Sequence, residues 1–342
     1  MRIGVLTAGG DAPGLNAAIR AIGGLAMRDG HEVIGIANGW AGLVGEFEGS
    51  ILSAKDLRGV IGQGGTLLGT ARYDLDQPAG GRERVLAAIE EHLDALIAIG
   101  GDGTQQISYW LAQRGASVVG VPKTLDNDLP GTDYCIGFDT AISIVAESLD
   151  RLHTTAASHH RVIVVETMGR ATGWVAALGG LAGGADMIVI PEFPITMDEI
   201  VAHINMRREA GLVFSMVVVA EGIDVAFLCG DKPHEETAEG ARRIRYASRG
   251  VGPFVAGKIE ERGFEVRTTV LGHLQRGGSP TAYDRIFATR VGAAAYEAVI
   301  AGKFGMIPVV RDGTVVLADL STVAAGQRKV PRELYDLCAA FF

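Results

Sequence analysis

The sequence of 342 residues contains only three cysteines, Cys135, Cys229 and Cys338, and they lie far apart. An odd number without metal-binding spacing argues against a disulfide framework and a zinc site, and it predicts a reducing compartment. Long apolar runs of membrane-spanning length are absent, and the amino terminus lacks the charged-then-apolar order of a signal peptide. These absences predict a cytoplasmic protein with no membrane partner.

Positive charge is also in short supply, with 31 basic against 40 acidic residues and a formal net charge of −9. Such a chain is not expected to bind nucleic acid nonspecifically, so any phosphate it binds must be held by a local cluster. Glycine, in contrast, is abundant at 48 residues. The glycines stand singly or in pairs where apolar runs stop, which is typical of strand-to-helix turns.

Short apolar runs alternate with helical patterns along the chain. "RIGVLTA", "ALIAIGG", "SVVGVP" and "RVIVVETMG" read as buried strands, and "RERVLAAIEEHL" and "AISIVAESLDRLHTTAA" read as helices. This alternation predicts an α/β protein with mostly parallel sheets flanked by helices, in two lobes. The expected boundaries are 1–138 for the first lobe, 139–305 for the second, and 306–342 for a segment packing back on the lobes.

Two glycine turns carry the same Gly-Gly-Asp letters, "AGGDAPG" at 8–14 and "IGGDGT" at 99–104. Each follows a strand and precedes a helix, where backbone N–H groups favour an anion. Neither matches the Walker A or the dinucleotide pattern, and each is also compatible with a simple packing turn. Because ligands of open parallel sheets bind beyond the carboxyl ends of the strands, the two turns predict one shared crevice.

The acids near these turns allow two interpretations each. Asp102 is either a magnesium ligand beside a phosphate or an N-terminal helix cap. In "TLDND" (124–128), an extended backbone would point Asp126 and Asp128 the same way, one toward a metal and one toward a hydroxyl proton. The alternative for this stretch is a polar turn.

Several arginines stand in turn-like contexts, where each is either a phosphate contact or a surface charge. They are Arg72, Arg161, Arg170, Arg267 and Arg276. Arg170 ends an apolar run that reads as a strand, and Arg276 lies in a glycine-rich turn after another. These two positions favour phosphate binding.

Together, "GVLTAGGDAPGLNAAIR", "IGGDGT", "PKTLDND", "ETMGRATGW" and "TVLGHLQRGGSPTAYDR" resemble the 6-phosphofructokinase family from residue 3 to about residue 305. The resemblance implies a phosphoryl donor and fructose 6-phosphate in a cleft between two lobes, and a product of fructose 1,6-bisphosphate in glycolysis. It also implies magnesium as the cofactor. It implies self-association as a homotetramer, with a homodimer as the other option, in which sugar-phosphate sites are completed by a neighbouring subunit.

The resemblance also implies a role for each matching residue. Asp126 corresponds to the general base, and Asp102 corresponds to the magnesium ligand, with Asp128 assisting. Arg170 and Arg72 correspond to groups that stabilise transition-state charge. Thr124 is counted with these catalytic residues. The donor site would comprise Gly10, Arg72, Tyr73, Gly101, Asp102, Gly103, Thr104 and Lys123. The sugar-phosphate site would comprise Thr124, Asp126, Met168, Gly169, Arg170, Glu221, His273 and Arg276, with Arg161 and Arg267 given across the subunit interface.

The identity of the donor depends on two positions. Family members that use ATP usually have glycine at both the 103 and the 123 positions, whereas members that use pyrophosphate usually have aspartate and lysine. This chain has Gly103 with Lys123, one marker of each kind. An aspartate at 103 would crowd and repel a nucleotide phosphate, whereas a flexible lysine can bind phosphate oxygens without filling the adenosine space. The pair therefore favours ATP.

Three alternatives remain at this stage. A pyrophosphate-dependent enzyme rests on Lys123. Other "GGDGT" kinases, such as those that resemble NAD kinase, share the turn but not "PKTLDND". A noncatalytic nucleotide-sensing subunit would have lost a base or a metal ligand. As a sugar phosphate, sedoheptulose 7-phosphate would also suit the arginines.

Two further departures from the family pattern carry predictions. Gly24, Ala54 and His153 stand where the well-known bacterial enzymes place basic effector-binding residues, although Arg20 is kept. Regulation by ADP and phosphoenolpyruvate is therefore expected to be weak or absent. The stretch 222–266 is longer than in the short bacterial enzymes and is expected to be a surface elaboration.

Overall fold

The computed structural model describes residues 1–77, 80–230 and 250–342. Its strands are β1 (Arg2–Ala8), β2 (Glu32–Ile36), β3 (Gly49–Ile51), β4 (Ala95–Gly100), β5 (Val118–Pro122), β6 (Val162–Thr167), β7 (Met187–Val189), β8 (Ser215–Ala220), β9 (Val266–Val270), β10 (Met306–Arg311) and β11 (Thr314–Asp319). Its helices are α1 (Leu15–Arg28), α2 (Ala41–Val44), α3 (Gly81–His92), α4 (Asp102–Ala112), α5 (Phe138–His159), α6 (Trp174–Ala182), α7 (Met197–Glu209), α8 (Val225–Leu228), α9 (Val251–Glu260), α10 (Ala282–Ile300), α11 (Leu320–Val323) and α12 (Arg332–Ala339).

The chain forms two compact units. Unit 1 comprises Met1–Thr140 and Arg276–Arg328, and unit 2 comprises Ala141–Gln275 and Lys329–Phe342. The lobe boundaries expected at 138 and 305 stay a prediction. The charged part of the expected elaboration, 231–249, lies outside the described residues.

The sheet of unit 1 has the strand order β11-β10-β5-β4-β1-β2-β3. Neighbouring strands from β2 through β1, β4 and β5 to β10 are parallel, and the edge strands β3 and β11 are antiparallel to their neighbours. Side chains of β1 alternate between the two faces: Ile3 and Val5 pack with α1 and α10, whereas Leu6 and Ala8 pack with α3 and α4. Burial on both faces explains why these strands are continuous apolar runs.

Unit 2 is built on a smaller sheet with the order β7-β8-β6-β9, in which all paired strands are parallel. A capping box at Thr196 and Glu199 begins α7. Helix α9 begins where Glu166, a carboxylate inside β6, accepts a hydrogen bond of 2.6 Å from the Gly252 N–H group. The predicted α/β architecture with mostly parallel sheets flanked by helices is confirmed.

The predicted helix over 141–157 is present as α5. The segment 306–342, expected to pack back on the lobes, adds β10 and β11 to the sheet of unit 1 and α12 to unit 2. Within the described ranges, we find no helix with both the length and the apolar character needed to span a membrane.

Candidate active site

The first glycine turn follows β1, and the side chain of a lysine donates hydrogen bonds to its backbone. Gly9 has φ = +86°, a left-handed conformation that glycine adopts without strain. The Lys123 ammonium donates to the carbonyl oxygen of Ala8 at 3.3 Å and to that of Gly10. The turn therefore presents carbonyl oxygens, and not only N–H groups, to its surroundings.

Lys123 itself is almost completely buried, with 3% of its surface exposed. Burial, and then the nearby Arg276 guanidinium, lower the pKa of Lys123 to about 8, while Asp126 and Asp11 act in the opposite direction. The ammonium form still dominates at pH 7. Positive charge thus reaches the first turn through a side chain.

Arg276 is the second cation at this turn. Its Nη1 donates to the Asp11 carbonyl at 3.0 Å. A Cβ atom on Gly10 would lie 2.5 Å from the same nitrogen, so glycine is needed for this approach. The resemblance places Arg276 with the sugar-phosphate residues, and the structure records its contacts with the first turn of unit 1.

The segment that carries Arg72 and Tyr73 runs beside the same turn. Thr70 Oγ1 donates to the Gly9 carbonyl at 2.8 Å, and the Gly9 N–H group donates to the Ala71 carbonyl at 3.3 Å. The Arg72 side chain that follows is exposed, whereas Tyr73 is half-buried against the core. These bonds place Arg72 at the rim of the first turn.

The second glycine turn leads directly into α4, whose first residue is Asp102. Gly101 occupies the cap position and has no side chain to satisfy the first N–H groups, which leaves them to attract an anion. The Asp102 carboxylate accepts a hydrogen bond of 2.6 Å from Gln106 Nε2 and does not cap the helix. The helix-cap interpretation of Asp102 is therefore wrong.

Gly103 and Thr104 differ in their surroundings. A Cβ atom added to Gly103 would meet no atom within 4 Å, so the space beside it is open. Thr104 is buried, and its Oγ1 would lie 2.2 Å from a Cβ atom on Gly100. Gly100 thus serves the packing of the turn, whereas Gly103 borders open space.

The TLDND loop (residues 124–128) follows β5 as a turn. The Asn127 N–H group donates to the Thr124 carbonyl at 3.4 Å, the Asp126 N–H group donates to Thr124 Oγ1 at 3.1 Å, and Asn127 has φ = +52°. Of the two interpretations of this loop, the extended backbone is wrong and the polar turn is the one observed, because the Thr124 hydroxyl accepts the Asp126 N–H group and Asn127 is left-handed. Thr124, Asp126 and Asp128 are all buried.

The second turn and the TLDND loop lie side by side. Gly100 pairs with Pro122 at the carboxyl ends of β4 and β5, and the Lys123 N–H group donates to the Gly100 carbonyl at 3.0 Å. A Cβ atom on Gly101 would lie 3.3 Å from the Lys123 carbonyl oxygen. The sheet therefore brings the Asp102 helix start next to the loop that carries Asp126 and Asp128.

This arrangement fits magnesium. Among residues 1–77, 80–230 and 250–342, no group of three or more His, Cys, Asp and Glu side chains is placed to hold a metal ion. Magnesium needs no such group, since it takes one or two protein carboxylates and completes its shell with phosphate oxygens and water. Asp102, half-exposed at the start of α4, would hold the ion, with Asp128 assisting.

In unit 2, several predicted sugar-phosphate residues gather at the carboxyl end of the sheet. Met168, Gly169 and Arg170 follow β6, Glu221 follows β8, and His273 follows β9. The Arg170 N–H group donates to Glu221 Oε1 at 2.9 Å, and Arg170 has φ = +51° with an exposed side chain. Left-handed backbone at a non-glycine residue is sparsely populated and is common at ligand sites.

Arg161 and Arg267 lie at the other end of this sheet. Arg161 precedes β6, and Arg267 pairs with Ile163 near the start of that strand. Both arginines reach Glu265 Oε1, at 2.6 and 3.3 Å. Six strand residues separate Arg161 from Met168, so roughly 20 Å lies between the two ends. One molecule of unit 2 therefore does not bring these arginines to Arg170.

Sequence reasoning missed three supporting residues. Glu166 holds the start of α9, and burial raises its pKa, with Glu221 adding to the effect. Asp284 is fully buried and accepts bonds from the Gly137 N–H group and from the Thr140 N–H and hydroxyl groups at 2.6–2.9 Å. Arg328 contacts the TLDND loop. The available signals were a lone acid inside an apolar strand, for Glu166, and the "TAYD" capping pattern, for Asp284.

Comparison with known proteins identifies the family. Residues 2–299 match the phosphofructokinase family model. The ATP-dependent 6-phosphofructokinase of Chloroflexus aggregans is 46% identical, with 99% of this chain and 95% of that protein aligned. The pyrophosphate–fructose 6-phosphate 1-phosphotransferase of Amycolatopsis methanolica is 44% identical over the whole of both chains. Pichia pastoris phosphofructokinase, solved in the T-state, superposes with a TM-score of 0.83 at 31% identity over 99% of this chain, which spans 36% of that longer chain. The predicted resemblance is confirmed: this chain belongs to the phosphofructokinase family.

Proposed function

We propose that the protein transfers a phosphoryl group from ATP to the 1-hydroxyl of fructose 6-phosphate, giving fructose 1,6-bisphosphate in glycolysis. One observation carries the proposal. The start of α4 at Asp102 and the TLDND loop lie side by side, because they follow the neighbouring strands β4 and β5. The Lys123 N–H group also donates to the Gly100 carbonyl. An electropositive helix N-terminus, a metal-binding carboxylate and a buried carboxylate base are the parts that phosphoryl transfer requires.

The chemistry assigns one task to each residue. Asp126 accepts the proton of the sugar 1-hydroxyl as its oxygen attacks the terminal phosphorus atom, and the bond from that phosphorus to the bridging oxygen breaks. Magnesium, when bound at Asp102 and Asp128, neutralises charge on the phosphate oxygens. The N–H groups at the start of α4 and the exposed Arg72 stabilise the transferring phosphoryl group.

The residues at the carboxyl end of the unit 2 sheet are the proposed site for the sugar phosphate. Arg170 supplies a guanidinium, His273 a donor, and Glu221 a carboxylate that fixes the Arg170 backbone at 2.9 Å. The left-handed conformation of Arg170 and the positive φ of Gly169 (+148°) shape this turn. Together they suit a phosphorylated sugar better than an unphosphorylated one.

ATP is favoured as the donor by the open space beside Gly103 and by the position of Lys123. No atom lies within 4 Å of a Cβ position on Gly103, which leaves room for the rest of a nucleotide. The Lys123 ammonium points to the carbonyls of Ala8 and Gly10 and not into that space. The names of the relatives do not decide the donor, since an ATP enzyme and a pyrophosphate enzyme are almost equally similar to this chain.

The test is product formation from fructose 6-phosphate and Mg²⁺ with ATP and pyrophosphate in parallel. We expect activity with ATP, and we expect Gly103→Asp to lose ATP activity through crowding and repulsion of a nucleotide phosphate. Activity with pyrophosphate alone would establish the alternative, a pyrophosphate-dependent enzyme. Activity with neither donor would refute the proposed reaction.

We also propose a homotetramer in which Arg161 and Arg267 act on the sugar phosphate of a neighbouring subunit. Their separation from Arg170 by the length of β6 supports this arrangement. Co-expressed Arg161→Ala and Arg170→Ala chains should then form hybrid oligomers with some intact sites and regain part of the activity. Two inactive variants that stay inactive together, despite proven mixing, would contradict it.

A further inference from the structure

The tail segment (residues 324–328) lies against the TLDND loop. It follows α11 and stands beyond residue 299, where the match to the family model ends. The Arg328 N–H group donates to the Asp128 carbonyl at 2.7 Å. Gln327 Nε2 donates to the Asp128 carboxylate at 3.1 Å. The segment thus contacts both the backbone and the side chain of a proposed metal-assisting residue.

The Arg328 side chain spans the stretch that follows the turn. Its Nε and Nη2 donate to the Asn127 carbonyl at 3.3 and 3.2 Å, and Nη2 also donates to the Asp133 carbonyl at 2.9 Å. Asn127 Nδ2 reaches the same Asp133 carbonyl at 3.1 Å. A planar guanidinium can join two carbonyl oxygens in this way because its donors form a fixed fork.

Asn127 is the residue that most needs this support. It stands between Asp126 and Asp128 with φ = +52°, a left-handed conformation that asparagine adopts more readily than most non-glycine residues but that is still less favourable than the right-handed and extended regions, so contacts to its carbonyl help to hold it. Relaxation of Asn127 would rotate its carbonyl and turn both neighbouring carboxylates. The Arg328 guanidinium holds that carbonyl in place.

We propose that Arg328, assisted by Gln327, is a positioning residue that fixes Asp126 and Asp128 for phosphoryl transfer. The proposal rests on the proposed function, because Asp126 and Asp128 carry the reaction there. Arg328 itself contacts the loop through backbone carbonyls and takes no part in the chemistry. Its loss should lower the turnover number, whereas it should leave the binding of either substrate nearly unchanged.

The experiment compares Arg328→Ala and Arg328→Lys with Lys329→Ala. Lys329 is the next residue, has an exposed side chain and carries the same charge, so it controls for charge alone.

We expect Arg328→Ala to lower kcat by about 10- to 100-fold, since small misplacements of catalytic groups have effects of this size. Both KM values should stay within about threefold, as small misalignment spares ground-state binding. Arg328→Lys should recover part of kcat, and Lys329→Ala should behave as the unaltered protein. A folded Arg328→Ala protein with the kcat of Lys329→Ala would overturn the proposal.

Amide hydrogen exchange of residues 124–133 provides a readout that needs no activity. Faster exchange there in Arg328→Ala than in Lys329→Ala supports the positioning role, and unchanged exchange overturns it. If Arg328→Ala does not fold, Gln327→Ala and Arg328→Lys decide by the same two criteria. If the unaltered protein has no activity, but Arg328→Ala still exchanges faster than Lys329→Ala, the proposed reaction is refuted while the role of Arg328 in fixing the loop remains supported.

Discussion

The two glycine turns share the letters Gly-Gly-Asp and leave neighbouring strands, yet they acquire positive potential in different ways. In the first turn, the ammonium of Lys123 and the guanidinium of Arg276 donate to backbone carbonyls of residues 8–11. In the second turn, α4 begins at once, and the uncapped N–H groups of a helix of 11 residues supply the potential. The same motif therefore does not imply the same electrostatic device.

The difference assigns different tasks to the two aspartates. Asp102 stands at a helix N-terminus, where its negative charge is tolerated and a metal ion can bridge it to phosphate. Asp11 contributes its carbonyl oxygen to Arg276 and acts on Lys123 through charge. Under the proposed function, the second turn would hold metal and phosphate, and the first turn would support it from the neighbouring strand.

The largest expected effect is on the loop that borders the second turn. Replacing Asp126 by Asn keeps its shape but removes the base, so kcat should fall by about 10³- to 10⁴-fold, toward the upper range for general-base catalysis. Both KM values should change little, because Asn keeps the size of the side chain and one acceptor oxygen for the sugar hydroxyl. Steady-state kinetics with saturating Mg²⁺ provide the measurement. A loss below tenfold would remove Asp126 from the role of base.

The matched pair Asp102→Asn and Asp11→Asn tests the comparison directly. We expect Asp102→Asn to lower kcat by about 10²- to 10³-fold and to raise the Mg²⁺ concentration needed for half-activity, as loss of a metal ligand or its partner does. Asp11→Asn should cost less than tenfold. Titration of activity with Mg²⁺ distinguishes the two. Equal losses in both variants would show that the two turns share the metal.

Much of this site could be predicted from local sequence, and the reasons are specific. The apolar runs fix β1, β4 and β5 because these strands are buried on both faces, and the glycines after them mark where helices begin. Because Asp102 and the TLDND loop come directly after β4 and β5, their places in the fold could be predicted from the strands. What local sequence could not give were contacts across long separations. Lys123 reaches residues 8 and 10, and Arg328 reaches residue 127, because the sheet order and the tail position place them there.

The turn at 124–128 shows a second limit. After a strand the sequence allows either an extended loop or a polar turn, and the extended form requires φ < 0 throughout. The Thr124 hydroxyl accepts the Asp126 N–H group and competes with the extended form, and Asn127 tolerates the left-handed region better than most residues. Thr124 and Asn127 are both residues that favour turns, and here their preference prevails over the extended form.

A smaller effect concerns the far end of the first turn, where a Cβ atom on Gly14 would lie 3.6 Å from Asp284 Cβ. Burial raises the pKa of Asp284 from 3.8 to about 6. Between these values the folded protein keeps the proton and the unfolded chain loses it, so the contribution of Asp284 to stability is complete below pH 4 and is lost as the pH rises through 6. Asp284→Asn removes this titration. The free energy of unfolding of the unaltered protein, relative to Asp284→Asn, should fall by up to about 3 kcal/mol from pH 4 to pH 7. Urea unfolding at both pH values measures this, and a constant difference would contradict it.

The smallest effect is expected from Lys123, because its ammonium supports the first turn from below. Lys123→Met keeps the length and burial of the side chain but leaves the carbonyls of Ala8 and Gly10 without their cationic donor. Charge-assisted hydrogen bonds are worth about 1.5–3 kcal/mol, and part of this is offset by the relief of burying an ammonium, so the KM for ATP should rise by about tenfold. The turnover number should change less, since the Lys123 N–H bond to the Gly100 carbonyl and the Asp126 carboxylate itself remain, although Asp126 loses a nearby positive charge. Initial rates at varied ATP give the result, with pyrophosphate as the second donor in the same variant. If Lys123→Met lost kcat as Asp126→Asn does, the ammonium would act on the transferring phosphate itself, and the two turns would be alike in function after all.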